Sequence, residues 1–124
     1  MIVRYMRERR SNPDGEDPMV TFGKEYLVVD MQFSAREEGS CDVSVLCDDG
    51  GGPGILDLAC FDFVDQRIPD NWVCQRLSNT MYRITPPEFM GHFWSEYNNA
   101  DDEAEKTLKR VMQRIHEFHY PQNA

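Results

Sequence analysis

Apolar residues alternate with polar ones as far as Thr85 and recur every three or four positions after it. That change of period constrains the fold more than any other feature, because alternation suits a half-buried strand and the longer spacing suits one face of a helix. It predicts strands first and helices last. In EYLVVDMQF, Leu27, Val29, Met31 and Phe33 share one parity, and Val20–Phe22 reads as a short strand before it. In CDVSVLCD, Cys41, Val43, Val45 and Cys47 share a parity, with Asp42 and Ser44 turned outward. ILDLACFDFVD has conflicting parities, which a bulge near Ala59 and Cys60 would reconcile. NWVCQRL and TMYRITP are spaced to pair as a hairpin across SNT. In between, Pro69 with Asp70 and Asn71 makes a turn, and Phe63 and Trp72 are expected beside it as core anchors.

Beyond residue 84 the signals are helical. Thr85, Pro86 and Glu88 fit a capping box, ahead of Phe89, Met90, Phe93, Trp94 and Tyr97 at helical spacing. Ala104, Leu108, Val111, Ile115 and Phe118 form one apolar stripe on a last helix, which Asn98 or Asn99 can cap and Pro121 stops. The expected fold is therefore α+β: an antiparallel sheet curled toward a small SH3-like barrel, followed by two C-terminal helices. The turn-forming stretch SNPDGEDP sets off residues 1–18 as a flexible N-terminal arm, leaving 19–124 as a single domain.

Charge narrows the partners. The net charge is −9, but the first ten residues carry +3, so the remainder carries −12. A body this acidic repels nucleic-acid backbones and anionic membranes and attracts basic surfaces. No apolar run approaches the roughly 18 residues of a membrane span. MIVRYMRERR lacks the apolar core and cleavage site of a signal peptide, so the cytoplasm is the expected compartment. There the four cysteines, Cys41, Cys47, Cys60 and Cys74, are expected to be reduced and to serve as small core hydrophobes.

The search for chemistry is mostly negative. His116 and His119 sit three apart on the last helix, but no second ligand pair accompanies them. DDGGGPG has the composition of a calcium loop without its D-x-D-x-D-G spacing, and it lacks the lysine of a phosphate loop. No nucleophile motif is present. The sequence therefore predicts no catalytic residue, no metal and no cofactor. What remains is a run from 37 to 66 with no lysine or arginine, rich in aspartate. Asp48, Asp49, Asp57, Asp62, Asp65 and Asp70 are the residues expected to meet a basic protein partner, giving fast and salt-sensitive association. Asp48 and Asp49, in a glycine-rich loop, are expected to tolerate charge reversal.

Three segments, VTFGKEYLVVDMQF, FDFVDQRIPDNWV and PPEFMGHFWSEYNNADDEAEKTLKRV, carry the patterns G-K-E-Y, D-x-R-I-P-x-N-W and F-W-x-x-Y. Over roughly residues 20–115 the chain resembles small bacterial immunity proteins of polymorphic toxin systems. The resemblance implies a compact, non-enzymatic protein that neutralises a cognate toxin domain by covering its active site; it supplies no contact residues. The alternative is a small regulatory or accessory subunit of another cytoplasmic assembly.

Overall fold

The computed structural model describes residues 1–6, 19–36, 40–48 and 52–121. They form seven antiparallel strands followed by two helices, an α+β arrangement in the expected order. The strands are β1 (Ile2–Tyr5), β2 (Glu25–Ser34), β3 (Cys41–Leu46), β4 (Pro53–Asp57), β5 (Phe61–Asp65), β6 (Val73–Arg76) and β7 (Met81–Thr85). The helices are α1 (Phe93–Asn98) and α2 (Asp102–His119). The long β2 organises the sheet. β3 runs along one of its edges, while β1 and then β7 pair along the other. β4 lies outside β3, β5 outside β1 and β6 outside β7. The sheet is not closed into a barrel, since β4 and β5 are the two ends of the strand path.

The first residues are not an arm. Ile2, Val3 and Tyr5 make a buried strand between β2 and β5. Three strand-favouring side chains outweigh the charge around them. Residues 7–18, the rest of the expected arm, lie outside the described residues. Val20 is buried in the core from a turn rather than from a strand.

Two cores flank the sheet. On one face Val3, Tyr5, Val28, Met31, Val43 and Leu56 pack together. On the other, Val29 packs with Phe89, Phe93, Leu108, Val111 and Ile115. Trp72 touches both cores, as expected of an anchor, and its backbone N–H closes the turn by donating to the Pro69 carbonyl at 3.2 Å.

The register explains where simple alternation misleads. Opposite β3 the pairing steps from Val28 with Val45 to Asp30 with Ser44, so β2 carries one extra residue, Val29. A bulge of this kind switches parity. Val28 and Met31 therefore face the first core together, while Val29, Asp30 and Gln32 face the helix side. The parity conflict in ILDLACFDFVD is resolved by a 3₁₀ turn at Leu58–Cys60, where Asp57 accepts a hydrogen bond from the Ala59 N–H at 2.9 Å. The turn splits the segment into β4 and β5. A further irregularity in β5, opposite Ile2 and Val3, leaves Phe63 48% and Val64 42% exposed. Phe61 takes the core place expected for Phe63.

The β6–β7 hairpin forms as its spacing predicts. The capping box does not. Thr85 ends β7, fully buried, and Pro87–Phe89 is a 3₁₀ turn with no side-chain cap. Glu88 instead pairs with Arg114 of α2. α1 begins only after Gly91, which turns the chain at φ +69. α2 is capped by Asp101, whose carboxylate accepts from the Ala104 N–H at 3.0 Å, and not by Asn98 or Asn99, which close α1. Its buried stripe is Ala104, Leu108, Val111 and Ile115, completed by His119 where Phe118 was expected. Among the described residues no cysteine is in a disulfide; Cys47 is buried, Cys41 and Cys60 are half-buried, and Cys74 is exposed rather than in the core. No described helix is long and apolar enough to cross a membrane.

Candidate functional site

Cross-strand pairing sets Gln75, Arg83, Gln32, Asp42 and Asp57 side by side across β6, β7, β2, β3 and β4. Directly opposed residues project from the same face of a sheet. The neighbouring row on that face is Asp30, Ser44 and Ile55. This is the helix side, and α1 walls it. Trp94, Tyr97 and Asn98 of α1 join Asp30, Gln32, Ser44, Pro53, Ile55 and Arg83 around a recess of about 230 Å³. Ile55 is 53% exposed, so the face is open at its β4 edge.

The charges on this face are poorly compensated. Asp42 and Asp57 stand directly opposite each other, and neither has an ion-pair partner among the described residues. Burial, reinforced by the Asp57 carboxylate, pushes the Asp42 carboxyl above its ordinary value. Asp30 is 1% exposed. Burial raises its pKa too, opposed by the Ser44 hydroxyl, the Arg83 charge and the Trp94 indole. Among the described residues, Oδ1 of Asp30 and Nε of Arg83 are enclosed and have no hydrogen-bond partner.

The aspartates expected to act together are dispersed. Asp48 is a structural node. Its carboxylate accepts from the Thr21 hydroxyl at 2.6 Å and the Tyr26 hydroxyl at 2.9 Å, and it pairs with Lys24. Its backbone N–H donates to the Met19 carbonyl at 2.8 Å. Asp48→Lys therefore destabilises the fold instead of sparing it, lowering Tm by roughly 5 °C or more through lost charge-assisted bonds and a new repulsion with Lys24. Chiefly through Lys24, then Thr21, the Asp48 carboxyl is drawn down to about 2. Because its folded pKa lies below the unfolded value, its contribution is complete above about pH 4 and fades as pH falls toward 2. Melts of wild type and Asp48→Asn between those limits check this: the gap between them should close in acid.

Asp65 is likewise engaged internally. Arg67 grips it through Nε and Nη2, with the shortest contact 2.7 Å, and His119 Nδ1 lies 2.9 Å away. The His119 side chain is fully enclosed, and its Nε2 lies 2.7 Å from the Met1 amino nitrogen. This carboxylate–imidazole couple resembles half of a catalytic triad in its geometry, but the second ring nitrogen faces the amino group in the interior. Its work is to tie the last turn of α2 to β5 and to the start of β1. Asp57, Asp62 and Asp70 are exposed; of the expected aspartates that are among the described residues, Asp57 lines up with Asp42 on the open face. Asp49 lies outside the described residues.

Sequence reasoning missed Asp30, Arg83 and Trp94. Asp30 falls on the outer parity of β2, but nothing in the alternation indicates that a bulge beside it would enclose it under a helix. Among the described residues, no group of three or more His, Cys, Asp or Glu side chains is placed to hold a metal ion. Comparison with protein-family models, with curated proteins and with solved structures gives no match.

Proposed function

We propose that this protein is a stoichiometric binding module of the immunity-protein kind. It blocks a basic protein partner, a toxin domain, by docking across the open sheet face, and performs no turnover of its own. The observation that carries the reading is the Asp42–Asp57 pair. Two carboxylates directly opposite in a sheet repel each other, and here no cation among the described residues relieves them. Such a pair costs the free protein stability and is relieved when a lysine or arginine of a partner comes between its members. The half-exposed Ile55 beside it adds apolar contact. Asp62 and Asp70 contribute to long-range attraction from outside the contact. Asp48 and Asp65, being committed to internal bonds, do not contact the partner.

The reading predicts how charge affects rates. With the partner isolated from the native cell, the Asp42→Asn/Asp57→Asn double variant should associate several-fold more slowly at low salt, and raising the salt should narrow the difference. Stopped-flow association at two ionic strengths checks it. The variant itself should fold at least as well as wild type, since a repulsion has been removed. An association rate indifferent to both salt and the double substitution would remove the electrostatic reading.

A further inference from the structure

We propose that the recess between Asp30, Arg83 and the aromatic pair Trp94 and Tyr97 binds a planar, uncharged ligand of nucleobase type, whose edge presents a hydrogen-bond donor beside an acceptor. The inference goes beyond protein docking and does not depend on it. It starts from two orphans. Asp30 is buried with Oδ1 unbonded, and the enclosed Nε of Arg83 is an unbonded donor, among the described residues. Buried polar groups are nearly always bonded, so an acceptor and a donor left unbonded within the wall of one recess suit a ligand with the reverse pattern.

The two groups do not satisfy each other. Arg83 acts on Asp30 through its charge, yet no ion pair joins them. Their opposite charges balance across the recess, which matches a neutral occupant. A cation would meet Arg83, and an anion would meet Asp30 with Asp42 nearby. Trp94 and Tyr97, nearly perpendicular at 83° with centroids 5.8 Å apart, both line the recess, and an aromatic lining suits a planar occupant. The volume, about 230 Å³, suits a one- or two-ring base rather than a whole nucleotide. The β2 bulge that turns Asp30 into this recess is the kind of irregularity that re-aims a side chain toward a site.

The test uses uncharged probes, because phosphates would be repelled by the acidic face. Adenosine, guanosine, cytidine and uridine are titrated one at a time into the intact protein, read by calorimetry and by the fluorescence of Trp94 in a Trp72→Phe background. At least one should bind one-to-one with Kd below about 10 mM and perturb Trp94. Asp30→Asn should weaken that binding at least about tenfold while Tm stays level or rises, since the change removes a carboxylate that burial disfavours. Arg83→Met should weaken it as well. Glu105→Gln, exposed on α2 and outside the recess, should leave it unchanged. Failure of all four nucleosides to bind would overturn the proposal, as would binding that Asp30→Asn and Arg83→Met leave intact. So would preferential binding of N-acetyl-argininamide, which would make the occupant a cation.

Discussion

Ile115→Asp leaves the chain unfolded at 25 °C. Ile115 is 2% exposed and packs in the second core with Phe89, Phe93, Leu108 and Val111, between α2 and the sheet. An aspartate there has no cation within the core to pair with, and a buried unpaired charge costs several kcal/mol on top of the lost apolar contacts. A domain of this size holds about 5–15 kcal/mol in total, so the loss removes most or all of it. Leu108→Asp, at 7% exposure on the same stripe, should behave alike. Two controls separate charge burial from general sensitivity. Ile115→Val should cost about 1 kcal/mol and stay folded. Gln113→Asp, two residues away on the exposed face, should melt close to wild type. Far-UV circular dichroism and thermal melts decide it, and a cooperative melt near wild type for Ile115→Asp would refute this placement of the stripe.

His119→Ala is expected to be the next most damaging change, lowering stability by about 2–4 kcal/mol, or Tm by roughly 10 °C. The imidazole is enclosed between the Asp65 carboxylate and the Met1 amino group. Its loss removes both contacts, opens a cavity under the end of α2 and unfastens the helix from β1 and β5. Burial holds the His119 pKa below its ordinary value, against the pull of Asp65. The ring is therefore neutral at pH 7, with Nδ1–H donating to Asp65 and Nε2 accepting from the amino group. A depressed histidine pKa means that the folded state resists protonation, so this contribution is present above the unfolded pKa of about 6.5 and is lost as pH falls below it. The difference in Tm between wild type and His119→Ala should accordingly shrink from pH 7.5 to pH 5. A difference that grew on acidification would contradict the neutral ring.

These two residues also mark what could be read from the chain. Ile115 was legible because its spacing from Leu108 and Val111 is a property of the helix alone. The hairpin before Thr85 was legible for the same reason, its strands and turn being adjacent in sequence. In the sequence His119 stands out only as three residues from His116, a ligand pair with no second pair to accompany it. Its actual partners, Asp65 and Met1, are brought to it only by the sheet. Asp48 looked like a loose loop residue because Thr21, Lys24 and Tyr26, which hold it, lie more than twenty positions away. β1 was hidden because a four-residue strand has too few alternations to stand out beside four arginines, and its burial comes entirely from long-range pairing. The bulge at Val29 has no sequence signature of its own, and it determines which carboxylate of β2 is enclosed. The acidic middle third was correctly read as composition. Its described members do not form a single patch: Asp48 and Asp65 are bonded internally, while Asp57, joined by Asp42, stands on the open face.

The most direct test of the central claim is a titration of inhibition. The partner's toxic or enzymatic activity is measured as this protein is added in increments, at partner concentrations well above Kd. A binding module that covers an active site should reduce activity in a straight line that reaches its floor at one equivalent. Asp42→Asn/Asp57→Asn should shift the line only where association is incomplete. Full loss of partner activity at a few hundredths of an equivalent would show turnover, and undiminished activity at several equivalents would show that no active site is covered. Either result would contradict the account.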